Sequence, residues 1–207
     1  MLKIALTNLG KYNEGELCFA WLELPCTFAE YVDALEEIGI DGVEYEETFI
    51  SDYDTDIDGL SEHLSEYSDV ELLNWLAGEL NKLCDWEIKN FESLLEYGEH
   101  TDGILELLDL VEEAQRCDNA ILLPDVDNDE ALGRYWIDES GCYDLKSMGN
   151  LANYFDYEAF GRDVRLEEGG VYTEHGYISI HSSSWMDYTK EDMPEEYRLR
   201  EGSVCNA

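Results

Sequence analysis

From Tyr12 to Asn81 the chain contains no lysine and no arginine, yet it carries 20 aspartates and glutamates. A second cation-free run, between Lys89 and Arg116, leaves Glu92, Glu96, Glu99, Asp102, Glu106, Asp109, Glu112 and Glu113 uncompensated. Within these segments the carboxylates have no neighbouring cation with which to build a salt-bridge network. Each like-charged i,i+4 pair on a helix costs about 0.2–0.5 kcal/mol. Over 207 residues, 50 acidic against 12 basic side chains give a formal charge of −38. Such a chain is repelled by nucleic acid and by anionic membranes. It is nevertheless 44% hydrophobic and 12% aromatic with three prolines, which is the composition of a packed core rather than of an acidic disordered tail.

Hydrophobic periodicity predicts an α+β fold in three parts, with boundaries at 1–61, 62–117 and 118–207. In the first, LKIALTN alternates at period two and reads as a strand, and ELCFAWLEL puts Leu17, Phe19 and Trp21 on one face of another. FAEYVDALEEIG reads as a helix through Phe28, Tyr31, Leu35 and Ile38 that stops at Gly39, and GVEYEETFI as a third extended run. In the second part, Ser68-x-x-Glu71 has the form of a capping box ahead of Leu73, Leu76, Leu80 and Leu83. Helices through Ile88, Phe91, Leu94 and Leu95, and through Ile104, Leu107, Leu108, Val111 and Ala114, complete a small bundle. In the third, a strand is expected around Tyr135, Trp136 and Ile137, followed by a helical run through Leu151, Tyr154 and Phe155, a helix at YEAFGRDV and a strand at GYISI.

The carboxylates then fall into rows. Glu44 and Glu46 precede a stretch, SDYDTDIDGLSEH, with Asp52, Asp54, Asp56 and Asp58 at every second position and Glu62 beyond. Glu92, Glu96 and Glu99 recur at i, i+4, i+7 on one helix, and Glu106, Asp109 and Glu113 at i, i+3, i+7 on the next, so that each series is expected to face outward. In an extended strand, i and i+2 carboxylates lie about 6.5–7 Å apart on one side. B-DNA presents one negative charge per roughly 1.7 Å of axis, so 38 charges correspond to roughly 65 Å, or about 19 base pairs. The rows are therefore a candidate imitation of phosphates. Calcium is an alternative: Asp54 to Gly59 fits the start of an EF-hand loop, but position 12 is Ser65 rather than glutamate. A halophilic or merely well-solvated surface is the other alternative.

Three separated segments carry a resemblance. An opening of the form LTNLGKYNEGEL followed by WLELP, then ALGRYWIDE, then YFDYEAFGRDV, in this order from about Leu6 to about Ile180, resembles the ArdA antirestriction family. The resemblance implies a three-domain, elongated, curved protein that dimerises through its C-terminal domain and imitates bent B-form DNA. It implies as partner the DNA-binding groove of type I restriction-modification enzymes, and a role in protecting incoming plasmid or transposon DNA. The family's short antirestriction motif falls loosely within Asp138 to Asp163. The tail from SSSWMDY to the C-terminus extends past the usual family end and has no assignment.

Catalysis finds no support, since the four histidines form no HExxH and no serine sits in a GxSxG. No cofactor or metal is expected: the six cysteines include no CxxC pair and read as reduced, mostly packed thiols. With no long apolar segment, and an opening MLKIALTNLG too soon polar for a signal peptide, a cytoplasmic protein is expected. For a homodimer, Leu132, Tyr135, Trp136 and Ile137 are the apolar candidates, with Tyr154 and Phe155 behind them. Ordinary core is the alternative, because periodicity does not separate core from interface.

Overall fold

A computed structural model describes residues 1–142, 144–182 and 184–201. Helix and sheet are mixed, as an α+β fold requires. The chain forms two compact units, one from Met1–Ile88, His100–Glu112 and the segment from Met186 onward, the other from Lys89–Glu99 and Glu113–Trp185.

The first unit begins with β1 (Leu2–Asn8), which leads directly into a short α1 (Leu9–Asn13). β1 lies at the centre of a three-stranded antiparallel sheet, between β2 (Phe19–Leu24) and β3 (Thr48–Thr55). Apart from Lys3, β1 is buried along its length, whereas β2 alternates between exposed and buried residues. Ala20, Leu22 and Leu24 face the core; Phe19, Trp21 and Glu23 face away from it. Between Ile4 and Leu6 the register on β3 jumps from Tyr53 to Ile50, a bulge that leaves one extra residue on the edge strand.

Helix α2 (Phe28–Glu37) starts with a reciprocal capping box. Thr27 Oγ1 accepts from the Glu30 N–H, while the Glu30 carboxylate accepts from the Thr27 N–H at 2.7 Å. At its other end, Asn8 Nδ2 (3.1 Å) and Lys11 Nζ (3.3 Å) both donate to the Ile38 carbonyl, which places a cation on the negative end of the helix dipole. Gly39 then turns with φ +79°, and a Cβ there would lie 2.4 Å from Lys11 Nζ. The segment TNLGKYN thus has a structural reason: its Asn8 and Lys11 close α2. The third strand begins later than GVEYEETFI suggested, because the Asp41 carboxylate gathers the N–H groups of Val43, Glu44 and Tyr45 into a turn. Those three bonds, from Tyr45 first, hold Asp41 below the ordinary carboxylate range.

Helix α3 (Val70–Leu80) is capped by Asp69, one residue after the expected Ser68; its carboxylate accepts from the N–H of Glu71 and Leu72. Glu71 is occupied elsewhere, accepting from the Leu199 N–H at 2.9 Å. The C-terminal segment packs on α3. Met193, Tyr197 and Leu199 are buried, and the Tyr197 ring fills the space that a side chain at Gly78 would need. Asn74, fully buried, donates to the Cys26 and Tyr197 carbonyls and accepts from the Cys26 N–H. Lys190 Nζ reaches Asp69 at 2.6 Å, and the Tyr188 ring meets Trp75 edge to face.

Helices α4 (Asp85–Tyr97) and α5 (Ile104–Arg116) have the expected extents, with Phe91, Leu94 and Leu95 buried on the first and Ile104, Leu107, Leu108, Val111 and Ala114 on the second.

The second unit contains β4 (Ala120–Leu123), α6 (Asp129–Arg134), a 3-10 run over Leu145–Tyr154, α7 (Tyr157–Glu168), β5 (Val171–Thr173) and β6 (Gly176–Ile180), with sheet order β4-β6-β5. The strand expected at Tyr135, Trp136 and Ile137 is instead helical. α6, capped by the Asn128 side chain, runs on into a wide turn over Tyr135–Glu139 in which the Ser140 N–H reaches back to the Tyr135 carbonyl. Tertiary packing overrides the β-propensity of these aromatic and branched residues. α6 and α7 meet through glycines: a Cβ on Gly133 would lie 2.0 Å from the Tyr157 carbonyl oxygen, and one on Gly161 1.9 Å from that of Asp129. Asp129 ties the unit together, accepting from Arg165 Nε on α7 at 2.8 Å and from the Tyr172 hydroxyl on β5 at 2.7 Å.

Two outcomes are expected. Tyr197→Ala removes a buried ring from α3 and costs about 3 kcal/mol, read as a lower urea midpoint with unchanged slope. The Arg165 hydrogen bond holds the Asp129 carboxyl below its ordinary value. A depressed pKa contributes stability that is present above the unfolded-state pKa and lost as pH falls through the folded one. The stability difference between the protein and Asp129→Asn is therefore largest at neutral pH and shrinks below about pH 4, by denaturation at each pH.

Candidate protein-binding surface

The thirteen carboxylates singled out by their spacing divide into two groups. Glu44, Glu46, Asp52, Asp54, Asp56, Asp58 and Glu62 are all exposed. Asp52 and Asp54 lie on edge strand β3, so the residues from Asp54 onward do not begin an EF-hand loop, and Asp54 is opposite Lys3 in the register. Asp56 pairs with the amino terminus. Among the described residues no cluster of three or more His, Cys, Asp and Glu has the arrangement of a metal site.

The helical rows do not face outward as a whole. Asp109 and Glu113 are buried, 3% and 4% exposed, and each is satisfied inside its own unit. Asp109 pairs with His100 Nε2 at 2.8 Å and accepts from the Tyr188 N–H. Glu113 accepts from the N–H groups of Asn119 (2.8 Å) and Ala120 (2.9 Å) and from Asn119 Nδ2 (2.7 Å), which fixes the start of β4. Burying a carboxylate is tolerable only with such partners. Glu92, mostly buried, pairs with His175 Nε2 at 2.7 Å, and Glu96 accepts from the Glu174 N–H at the β5–β6 turn. Glu106 accepts from the Asp102 N–H ahead of α5. Glu99 is exposed. Some of these partners, His175 for Glu92 and Tyr188 for Asp109, are distant in sequence, and others, Asn119 and Ala120 for Glu113, lie just past the helix; helical spacing alone reveals neither kind.

The apolar candidates divide in the same way. Leu132 (0% exposed) and Ile137 (5%) are buried within the chain, Leu132 in a cluster with Val126 and Tyr177, so neither is available to a second copy. Tyr135 and Trp136 pack against that cluster and are half-buried. Leu151, Tyr154 and Leu166 are exposed large apolar residues of this unit's 3-10 run and α7. The thiols are less packed than expected: Cys26 is buried and Cys18 partly so, Cys84, Cys117 and Cys142 are exposed, and Cys205 lies outside the described residues.

No helix among the described residues is long and apolar enough to cross a membrane. The comparison with curated proteins finds no match. The family model for the antirestriction protein ArdA matches residues 4–179, from the first strand through β6, and so takes in the capping segment TNLGKYN, the cation-free runs and the glycine-packed α6 and α7. A match over that much of the chain makes it a member of the ArdA family of antirestriction proteins.

Proposed function

We propose that this protein opposes restriction by occupying the DNA-binding groove of type I restriction-modification enzymes as a substitute for B-form DNA. The observation that carries the reading is the exposed, cation-poor acidic surface of the N-terminal segment: Glu44, Glu46, Asp52, Asp54, Asp58 and Glu62 all face solvent in a stretch of chain without a single Lys or Arg. With Glu99 they form the phosphate-mimicking set. Glu92, Glu106, Asp109 and Glu113 serve the fold instead. The enzyme's lysines and arginines are drawn to this surface, and binding releases counterions as DNA binding does. A protein surface offers no base edges, so inhibition is independent of the enzyme's target sequence. The interaction excludes DNA cleavage, and modification as well where the same groove serves both. It takes place in the cytoplasm, with no nucleic acid, membrane or cofactor as partner.

A homodimer through the C-terminal segment, elongated and arranged as the three parts 1–61, 62–117 and 118–207, belongs to the same reading. It extends the charged surface to DNA-like length. Exposed Leu151 and Tyr154 support the contact better than Leu132 or Ile137, which are core.

In competition with a labelled duplex held by a type I enzyme, near-stoichiometric protein displaces the duplex, and displacement weakens as salt rises. Enzymes of unrelated target sequence are inhibited equally; activity confined to one target contradicts mimicry. A halophilic reading predicts unfolding at low salt, so a folded, inhibitory protein in dilute buffer removes it. Tyr154→Glu yields a folded monomer by sedimentation, and an unchanged dimer refutes the assignment of this contact.

A further inference from the structure

The outward face of the N-terminal sheet is not acidic throughout. On β2, Phe19 and Trp21 turn away from the core, 43% and 48% exposed, with their rings edge to face at 6.4 Å between centroids. Leu17, just before the strand, is 65% exposed. Across the sheet the register gives the face two ends. Phe19 is opposite Thr7, which is in turn opposite Phe49; Trp21 is opposite Ala5; and Glu23 is opposite Lys3, which is opposite Asp54 on the other side. One end is therefore aromatic, and the other holds a single lysine between two carboxylates. Glu14 and Glu16, in the loop that leads into β2, are also exposed.

On β1 and β3 the positions across from these rings, Ala5, Thr7 and Phe49, are buried, so the exposed aromatic surface belongs to edge strand β2. A half-exposed Trp and Phe side by side on an edge strand are costly to leave in water and of no use as phosphate substitutes. Their ring faces suit one chemistry in particular. A planar guanidinium stacks on an aromatic ring through the ring quadrupole and is more weakly hydrated than an ammonium, so it gives up less water to do so. Carboxylates at the border raise the local concentration of such cations and accept their remaining N–H groups.

We propose that Phe19 and Trp21 form an arginine-stacking anchor, bordered by Glu23, for the basic groove of the protein's target. The inference rests on the reading above and deepens it by adding a contact that a DNA backbone does not make. Phosphate-like pairs weaken with ionic strength through counterion release, while stacking on a ring depends on salt far less. The anchor therefore holds the protein on the enzyme under salt that loosens DNA.

The test compares affinities for a type I enzyme at low and high salt among the native protein, the double variant Phe19→Ala/Trp21→Ala, the double variant Phe19→Leu/Trp21→Leu, and Asp52→Asn/Asp54→Asn. The alanine variant is expected to bind about tenfold more weakly at both salt concentrations. The leucine variant keeps apolar area without ring faces and is expected to lose nearly as much. The loss in the aspartate variant should shrink at high salt. Native-like binding by the alanine variant overturns the anchor, and native-like binding by the leucine variant overturns arginine stacking as its cause. A change of oligomeric state in either aromatic variant assigns the face to a second copy and also overturns the proposal. If the native protein itself fails to displace the duplex, the DNA-mimic reading falls first and the anchor with it.

Discussion

Scarcity of cations governs how this protein is held together. With 50 acidic and 12 basic side chains, carboxylates that must enter the interior cannot in general be met by Lys or Arg. Neutral donors take their place. Glu113 is met by two backbone amides and an asparagine, and Asp109 by a backbone amide beside its pairing with His100; at the surface, Asp41 is met by three amides of its own turn. Tyrosine hydroxyls donate likewise to Glu168 and Glu112, to Asp129 beside Arg165, and to the exposed Glu14. The phenols of Tyr172, Tyr177 and Tyr188 are pushed upward, first by burial and then by the carboxylate each one touches, so they remain protonated donors throughout the physiological range. A hydrogen bond from a neutral donor satisfies a carboxylate without cancelling its charge, and the negative field outside survives the demands of the inside.

Three of the few cations join segments distant in sequence, while others, such as Lys82 on Glu79 and Arg134 on Glu130, pair within a turn. Lys11 lies against the end of α2, Arg165 joins α7 to the first residue of α6, and Lys190 reaches the cap of α3. None of these positions falls within the acidic stretch from residue 12 to 81, which has no cation of its own to spend. Close backbone packing does further work that salt bridges do in other folds: the approach of α6 to α7 at Gly133 and Gly161 leaves no room for even one methyl group.

Strands β1 and β2 and helices α2 to α5 were legible in the sequence because their apolar residues repeat at a single period and each has a clear stop, such as Gly39. The bulge that carries β3 into the aspartates was not, since it arises from pairing with β1. At Tyr135–Ile137 local propensity pointed to a strand, while the deciding fact, the fit of Gly133 against α7, lies in a helix more than 20 residues further on. The same blindness affected the candidate surface. Spacing placed Asp109 and Glu113 on a polar stripe, but α5 is buried on more sides than its leucines imply, with Leu110 also inside. In the N-terminal segment the aspartates at 52, 54, 56 and 58 are exposed, and the residues that alternate with them, Tyr53, Thr55 and Ile57, take the inner positions.

The segment beyond residue 179, outside the family match, extends the same logic. It carries Lys190, Arg198 and Arg200, three of the chain's 12 cations. Lys190 settles on Asp69 and Glu71 at the start of α3, while Tyr197 and Leu199 add apolar burial on the same helix. Desolvation works against the charge of Asp69, and Lys190 together with the Leu72 and Glu71 amides more than offsets it, leaving the carboxyl below its ordinary value. A helix N-terminus already favours a carboxylate, so a lysine there is not required by the dipole. Its use is to tether: the segment brings Lys190 to the first turn of a helix whose far end is already paired, Glu79 with Lys82. Stability is thereby gained on α3 with a cation from outside the acidic stretch of residues 12 to 81, which has none.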